Sequence, residues 1–186
     1  MHSYDIELPE TAFAPLAATR GGVVCVGVSG RAVGLEGFFG CEIELASGEF
    51  IAVGADQRDL EYKFEVFPIT ASFQAERCAT ETKEVLLTAP VEVTLLRTQD
   101  WLDSGMPCVG AIGNNPIMQC QGAPGRAPDS AVAACTYFGG VEFRGANGNS
   151  LRVATLPFPY AIYVSCFEGG AIDSQDYSTE VLNHAG

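Results

Sequence analysis

Alternation of apolar and charged residues is cleanest at Leu60-Glu61-Tyr62-Lys63-Phe64-Glu65-Val66, where even positions are apolar and odd positions charged. A period of two sets one row of side chains against a core and the other in water, so this stretch predicts a half-buried strand. Ile69, Ala71 and Phe73 resume the alternation beyond Pro68. Residues 38–45 predict another strand, with Glu42 and Glu44 opposing Ile43 and Leu45. The β-branched run Val23-Val24-Cys25-Val26, with Val28, ends at Ser29-Gly30 and fits a buried strand. Ser47-Gly48 turns the chain into Phe50-Ile51-Ala52-Val53. Val85-Leu86-Leu87 and 91–95 repeat the signal on either side of Pro90, and late strands are expected at 141–143, 151–155 and 160–167.

Three segments break the pattern. Thr98-Gln99-Asp100-Trp101-Leu102-Asp103 predicts a short helical turn at most. Ser130 to Tyr137 predicts the one longer helix, with Asp129 as N-cap and Gly139-Gly140 as its stop. The Ala and Val of that stretch would also suit a strand of small residues. Residues 1–20 predict an extended arm, because Pro9 and Pro15 disfavour regular structure and the apolar residues between them show no period. The arm is expected to be disordered or to lie across a neighbouring subunit.

Roughly eight to ten short strands separated by turns, without alternating helices, predict an all-β architecture. The expectation is a β-sandwich or barrel-like antiparallel domain with at most one or two short helices. It is a single domain over residues 21–186 behind the N-terminal arm, and long Gly/Pro-rich loops fall in a weakly charged, Cys-rich region at 104–166. From Gly105 to Cys166 the only acids are Asp129 and Glu142, while four of the seven cysteines lie there. Gly113-Asn114-Asn115-Pro116 and 122–128, which holds Arg126, read as loop tips. Long loops of this kind are more often contact surfaces than filler.

Charge narrows the partners. A formal net charge of −13 repels phosphate backbones and anionic lipid, so neither nucleic acid nor a membrane surface is expected as a partner. The N-terminus lacks the basic and apolar regions of a secretory signal, and the longest apolar runs are too short to cross a bilayer, so the chain reads as soluble. Only 18% of residues are charged, below the usual quarter, which leaves surface for a partner to cover.

Catalytic chemistry has little to work with. His2 and His184 are the only histidines, each beside a terminus, so a His-based triad, dyad or metal site would need a tail folded into the core. No Cys-x-x-Cys occurs among cysteines 25, 41, 78, 108, 120, 135 and 166, and the usual zinc and redox spacings fail. These cysteines read as small buried hydrophobes with free thiols, the alternative being disulfides within the Cys108 to Cys166 region. Gly27-Val28-Ser29-Gly30 and the glycines after it match no phosphate-binding motif and read as turn and bulge glycines. Glu42 with Glu44, or Glu61 with Glu65, would share a strand face, and side chains two apart on a strand lie roughly 6–7 Å from each other, a separation compatible with acid/base work, although such rows are ordinarily solvated. Asp56, Asp59 and Glu61 lack the spacing of a calcium loop.

The expectation is therefore a non-enzymatic structural subunit of a larger assembly, without catalytic residues, cofactor or metal, whose partners are protein subunits, self or otherwise. A virion suits that architecture, as a phage capsid decoration (cement) protein or a head-tail or tail part. Candidate assembly contacts are Phe13 and Leu16 on the arm, Asn114, Asn115, Pro116 and Arg126 in the loops, and Phe158 and Tyr160 between prolines. A carbohydrate-type ligand-binding β-sandwich, using exposed rings as platforms, is the second expectation, and a carboxylate-dependent hydrolase the third.

Overall fold

The computed structural model describes residues 2–31, 37–60, 65–103, 118–122, 131–156, 161–169 and 178–182, by backbone alone at 103, 118–122 and 178–181. Its strands are β1 (His2–Asp5), β2 (Val23–Arg31), β3 (Phe38–Leu45), β4 (Phe50–Ala55) and β5 (Arg58–Asp59). They continue as β6 (Glu65–Val66), β7 (Ile69–Gln74), β8 (Glu81–Leu87), β9 (Glu92–Asp103) and β10 (Met118–Gly122). The last four are β11 (Ala131–Arg144), β12 (Ser150–Thr155), β13 (Ile162–Phe167) and β14 (Ser178–Val181).

Twelve of these strands form one sheet in the order β10-β9-β11-β12-β13-β3-β2-β8, which curls into a half-barrel, and β5 and β6 pair as a separate ribbon. The domain is all-β and barrel-like. Beyond β3 the sheet also branches through β4 to β7. Every recorded pairing is antiparallel except that of β1, which runs parallel to β11.

Alternation decides which face goes inside. Cys41, Ile43 and Leu45 of β3, Ile51 and Val53 of β4, and Leu151 and Val153 of β12 are all buried in one core. The polar residues between them on β3 turn to the outer face.

The longest ladder joins β9 to β11, and residues directly opposite in a ladder share a face. Val93 opposite Phe143, and Leu95 opposite Val141, face the main core. At the other end, Asp100 opposite Cys135 and Leu102 opposite Ala133 belong to the reverse face, where Cys135, Ala133, Leu102 and Tyr137 form a second apolar cluster with Val66. Tyr137 donates its hydroxyl to buried Asp100 at 2.9 Å. One sheet thus carries a core on each side.

The switch lies at a bulge between Phe138 and Gly140. Here Thr155 donates its hydroxyl to the Gly139 carbonyl at 3.0 Å. A Cβ on Gly139 would lie 2.4 Å from Cγ2 of Thr98, so only glycine fits. Both departures from helical expectation sit on this ladder. Residues 98–103 are strand, and so is 131–137, because each satisfies the backbone groups of the other across some thirty residues of sequence. Gly139-Gly140 is the bulge of a long strand, not the stop of a helix.

The N-terminal segment lies on the chain's own sheet. β1 pairs along Ala133 to Thr136, and Asp5 forms an ion pair with Arg97. Residues Glu10–Ala12 and Ala14–Gly21 form two 3-10 segments, the second opening on Pro15 and touching β3, β7 and β9. Three residues per turn bring Phe13 and Leu16 to the same side, where both are buried at 4% and 1% exposure. Phe13 meets Phe138 edge to face, with ring centroids 5.5 Å apart. These two residues, expected as assembly contacts, are core residues of their own chain. No helix among the described residues is long and apolar enough to cross a membrane.

Substituting Gly139→Ala crowds Thr98 inside the sheet and is expected to cost about 1–3 kcal/mol, as overpacking does. Urea denaturation would show a lowered midpoint with unchanged slope. An unaltered midpoint would mean that the bulge tolerates a side chain.

Candidate functional site

Glu42 stands on the outer face of β3, between the core residues Cys41 and Ile43. The connection from β7 to β8 folds back over it. Both Glu42 carboxylate oxygens accept the Cys78 backbone N–H, at 2.8 and 3.0 Å, and Oε2 also accepts that of Ala79 at 2.9 Å. The Gln74 amide donates to Oε1 at 3.1 Å. The Thr80 N–H reaches the Val28 carbonyl at 3.2 Å, which closes the fold-back. A Cβ on Gly27 would lie 2.3 Å from that of Ala79, so glycine is required where the connection crosses β2. Of the acid pair Glu42 and Glu44, the first is therefore an anchor for backbone, its lone pairs occupied.

The anchored connection presents Arg77. Its guanidinium lies 3.9 Å from Glu44, donates to the Thr82 hydroxyl, and approaches Cys25 Sγ at 3.7 Å. These residues form one wall of an open groove of about 750 Å³. Val24, Glu84 and Leu86 extend that wall, while Cys166, Phe167 and Glu168, at the end of β13, line it from elsewhere in the sheet.

Two features distinguish the groove. Three of the large apolar side chains left in solvent converge on it, namely Val24 at 38% exposure, Leu86 at 56% and Phe167 at 42%. It also lies where sheet pairing runs out. Among the described residues β8 pairs with β2 alone, and β13 meets β3 only through Ile162 opposite Phe38. From Tyr163 to Phe167 β13 has a ladder with β12 and, among the described residues, none on its other edge. The β11–β12 turn closes one end. Asn147 and Asn149 donate their side-chain amides to the Leu86 carbonyl at 2.8 and 3.1 Å, and Asn149 Oδ1 accepts the Gly169 N–H at 3.2 Å.

Thiols border this region. Cys25, Cys41, Cys78, Cys135 and Cys166 are all free. Burial pushes the Cys41 thiol far up, and pushes Cys135 up to about 12, with the charges of Asp100 and Asp5 adding to it. Burial also raises Cys25 and Cys166, against the opposing pull of Arg77 on the first and Lys83 on the second. Among the described residues no three His, Cys, Asp or Glu side chains gather as a metal site would need. Asp56 pairs with Arg58 at 2.8 Å and Asp59 accepts the Gln57 amide at 2.9 Å.

Of the residues expected to make assembly contacts, Asn114, Asn115, Pro116, Arg126, Phe158 and Tyr160 lie outside the described residues, as do Glu61 and His184. Of the groove residues, Glu44 stood out in the sequence as half of an acid pair, while Val24, Leu86 and Phe167 did not, although a signal was there. Val85-Leu86-Leu87 puts three apolar residues in a row on a strand, and adjacent side chains point to opposite faces, so one had to face out. The register shift between Val23 and Cys25 likewise turns Val24 outward.

Replacing Glu42 with Gln keeps the shape but removes the charge from its bonds to Cys78 and Ala79. Stability is expected to fall by about 1.5–3 kcal/mol in urea denaturation. A loss near zero would show that the carboxylate does not hold the fold-back. Alkylation of the native protein at mildly alkaline pH, followed by mass spectrometry, is expected to label exposed Cys78 and Cys166 well before Cys41 and Cys135. Early labelling of Cys41 or Cys135 would contradict their burial. No model of a known protein family, no curated protein and no solved structure matches the chain, so the groove's own chemistry carries the functional reading.

Proposed function

We propose that the protein is a non-enzymatic structural subunit of a larger assembly, and that a virion, as a capsid decoration or tail part, is the setting its architecture suits. The observation that carries this reading is the groove beside β8, where Val24, Leu86 and Phe167 stay in solvent next to strand edges that have no ladder among the described residues. Burying one such side chain in a partner is worth about 1.5–3 kcal/mol, and an unpaired edge offers backbone bonds as well. Exposed apolar side chains beside an open edge are a liability for a chain that works alone. The low charged fraction of 18% supports the same reading.

Chemistry at the acid pair is a poorer use of the site. Glu42 accepts bonds from two backbone amides and one side-chain amide, and Glu44 faces Arg77, so neither carboxylate is placed to exchange protons with a substrate.

Fractionating a gentle extract of the native source by size, with detection by antibody, tests the proposal. The chain is expected in particles far heavier than its own 19.6 kDa, and a Leu86→Asp, Phe167→Asp double variant is expected to stay out of them. Recovery of the wild-type chain as a 19.6 kDa species, from extracts whose large assemblies remain intact, would overturn it.

A further inference from the structure

We infer that the groove receives an extended, cationic strand from a different protein, which pairs with the open edge of β8 and settles its apolar side chains on Val24, Leu86 and Phe167. The inference rests on the groove being a contact surface and adds the chemistry of what it contacts.

Geometry selects a strand. β8 lies at the end of the sheet order, and its pairing with β2 leaves the other edge without a ladder among the described residues. The β11–β12 turn already bonds the carbonyls of Leu86 and Thr88, so the stretch left for an incoming strand is 81–85. Extended segments add to such edges through main-chain bonds, and their alternate side chains supply specificity. Successive side chains of the incoming strand point to opposite faces, so one row can meet apolar side chains while the other reaches charged ones.

Charge selects the occupant. Among the described residues, Glu44, Glu84 and Glu168 line the groove against a single cation, Arg77. That cation is already committed to Glu44, Thr82 and Cys25. Glu84 sits on β8 itself and opposes Cys25 in the register with β2, so it lies beside the edge an incoming strand would use. A segment carrying Lys or Arg in alternate positions complements this set, and an acidic one is repelled.

The same charges disfavour a second copy of this chain. Its net charge is −13, and its first nineteen residues hold Asp5, Glu7 and Glu10 without a Lys or Arg. The segment after Phe167 is no better suited, with Glu168, Asp173, Asp176 and Glu180 and no Lys or Arg.

The test uses the purified full chain as bait for short random peptides displayed on phage, with the selected peptides then synthesised and their affinity measured by fluorescence anisotropy. Selected peptides are expected to be net positive, with apolar and basic residues alternating and no proline between them. Their affinity is expected to fall as salt rises. Glu84→Lys and, separately, Leu86→Asp are each expected to weaken binding about tenfold, the first through charge and the second through apolar contact. Both positions are exposed, and Glu92→Lys, on β9 and outside the groove, is expected to change nothing. Recovery of neutral or acidic peptides, binding indifferent to both groove variants, or no selected peptide at all would each overturn the inference. If the chain is nevertheless found in large particles, the structural-subunit reading stands and only the cationic strand is lost.

Discussion

The antiparallel ladder between β9 and β11 is the constraint on which the rest of the structure depends. It joins two long strands, and β10, β14, β1 and β12 all pair with one or the other. The bulge at Gly139 and Gly140 shifts the apolar parity of β11, so that Val141 and Phe143 face the main core while Ala133, Cys135 and Tyr137 face the second cluster. At that bulge β11 also changes its neighbour, from β1 at 133–136 to β12 at 140–144. The bulge thus marks both the change of core face along β11 and the branching of the sheet.

From there the groove follows. β12 and β13 extend the ladder outward, and β13 reaches β3 at one residue before the two diverge. The sheet then runs through β3 and β2 to end at β8. Curling brings the last strand close enough for the β11–β12 turn to clip the Leu86 carbonyl with two asparagines. Closing the barrel completely would have paired these edges and covered their backbone groups. The half-closed arrangement leaves them in solvent instead, with the carboxylates alongside. The Glu42 anchor holds the β7–β8 connection in place and with it Arg77, so the groove wall is set by bonds within the chain.

Strands with one wet face were legible from their period. Glu42 and Glu44 against Ile43 and Leu45 announce β3, and Phe50 to Val53 announce β4, because burial on one side imposes a period of two. β12, also expected at 151–155, is instead buried along its whole length. Much of the ladder was illegible. Thr98-Gln99-Asp100 looks too polar for a buried strand, and Ala131-Val132-Ala133-Ala134 looks helical. Each becomes a strand only by pairing with the other, and Asp100 is tolerated in the interior with the Tyr137 hydroxyl to bond it. Phe13 and Leu16 resembled an arm because 3-10 turns are too short to display a period, yet both enter the core. The groove was hidden for a related reason. It is made by residues more than a hundred positions apart, Val24 and Phe167 among them, and no local pattern records where a sheet stops pairing.

Residue-resolved hydrogen exchange on the isolated protein reads directly whether β8 and β13 each keep an open edge. Rapid exchange is expected at alternate amides of β13 from Tyr163 to Phe167 and along the outer edge of β8. Amides of β9 and β11 should exchange only at the rate set by global unfolding. Uniformly slow exchange along both β8 and β13 would mean that their edges are paired, that the groove is closed, and that the account is wrong.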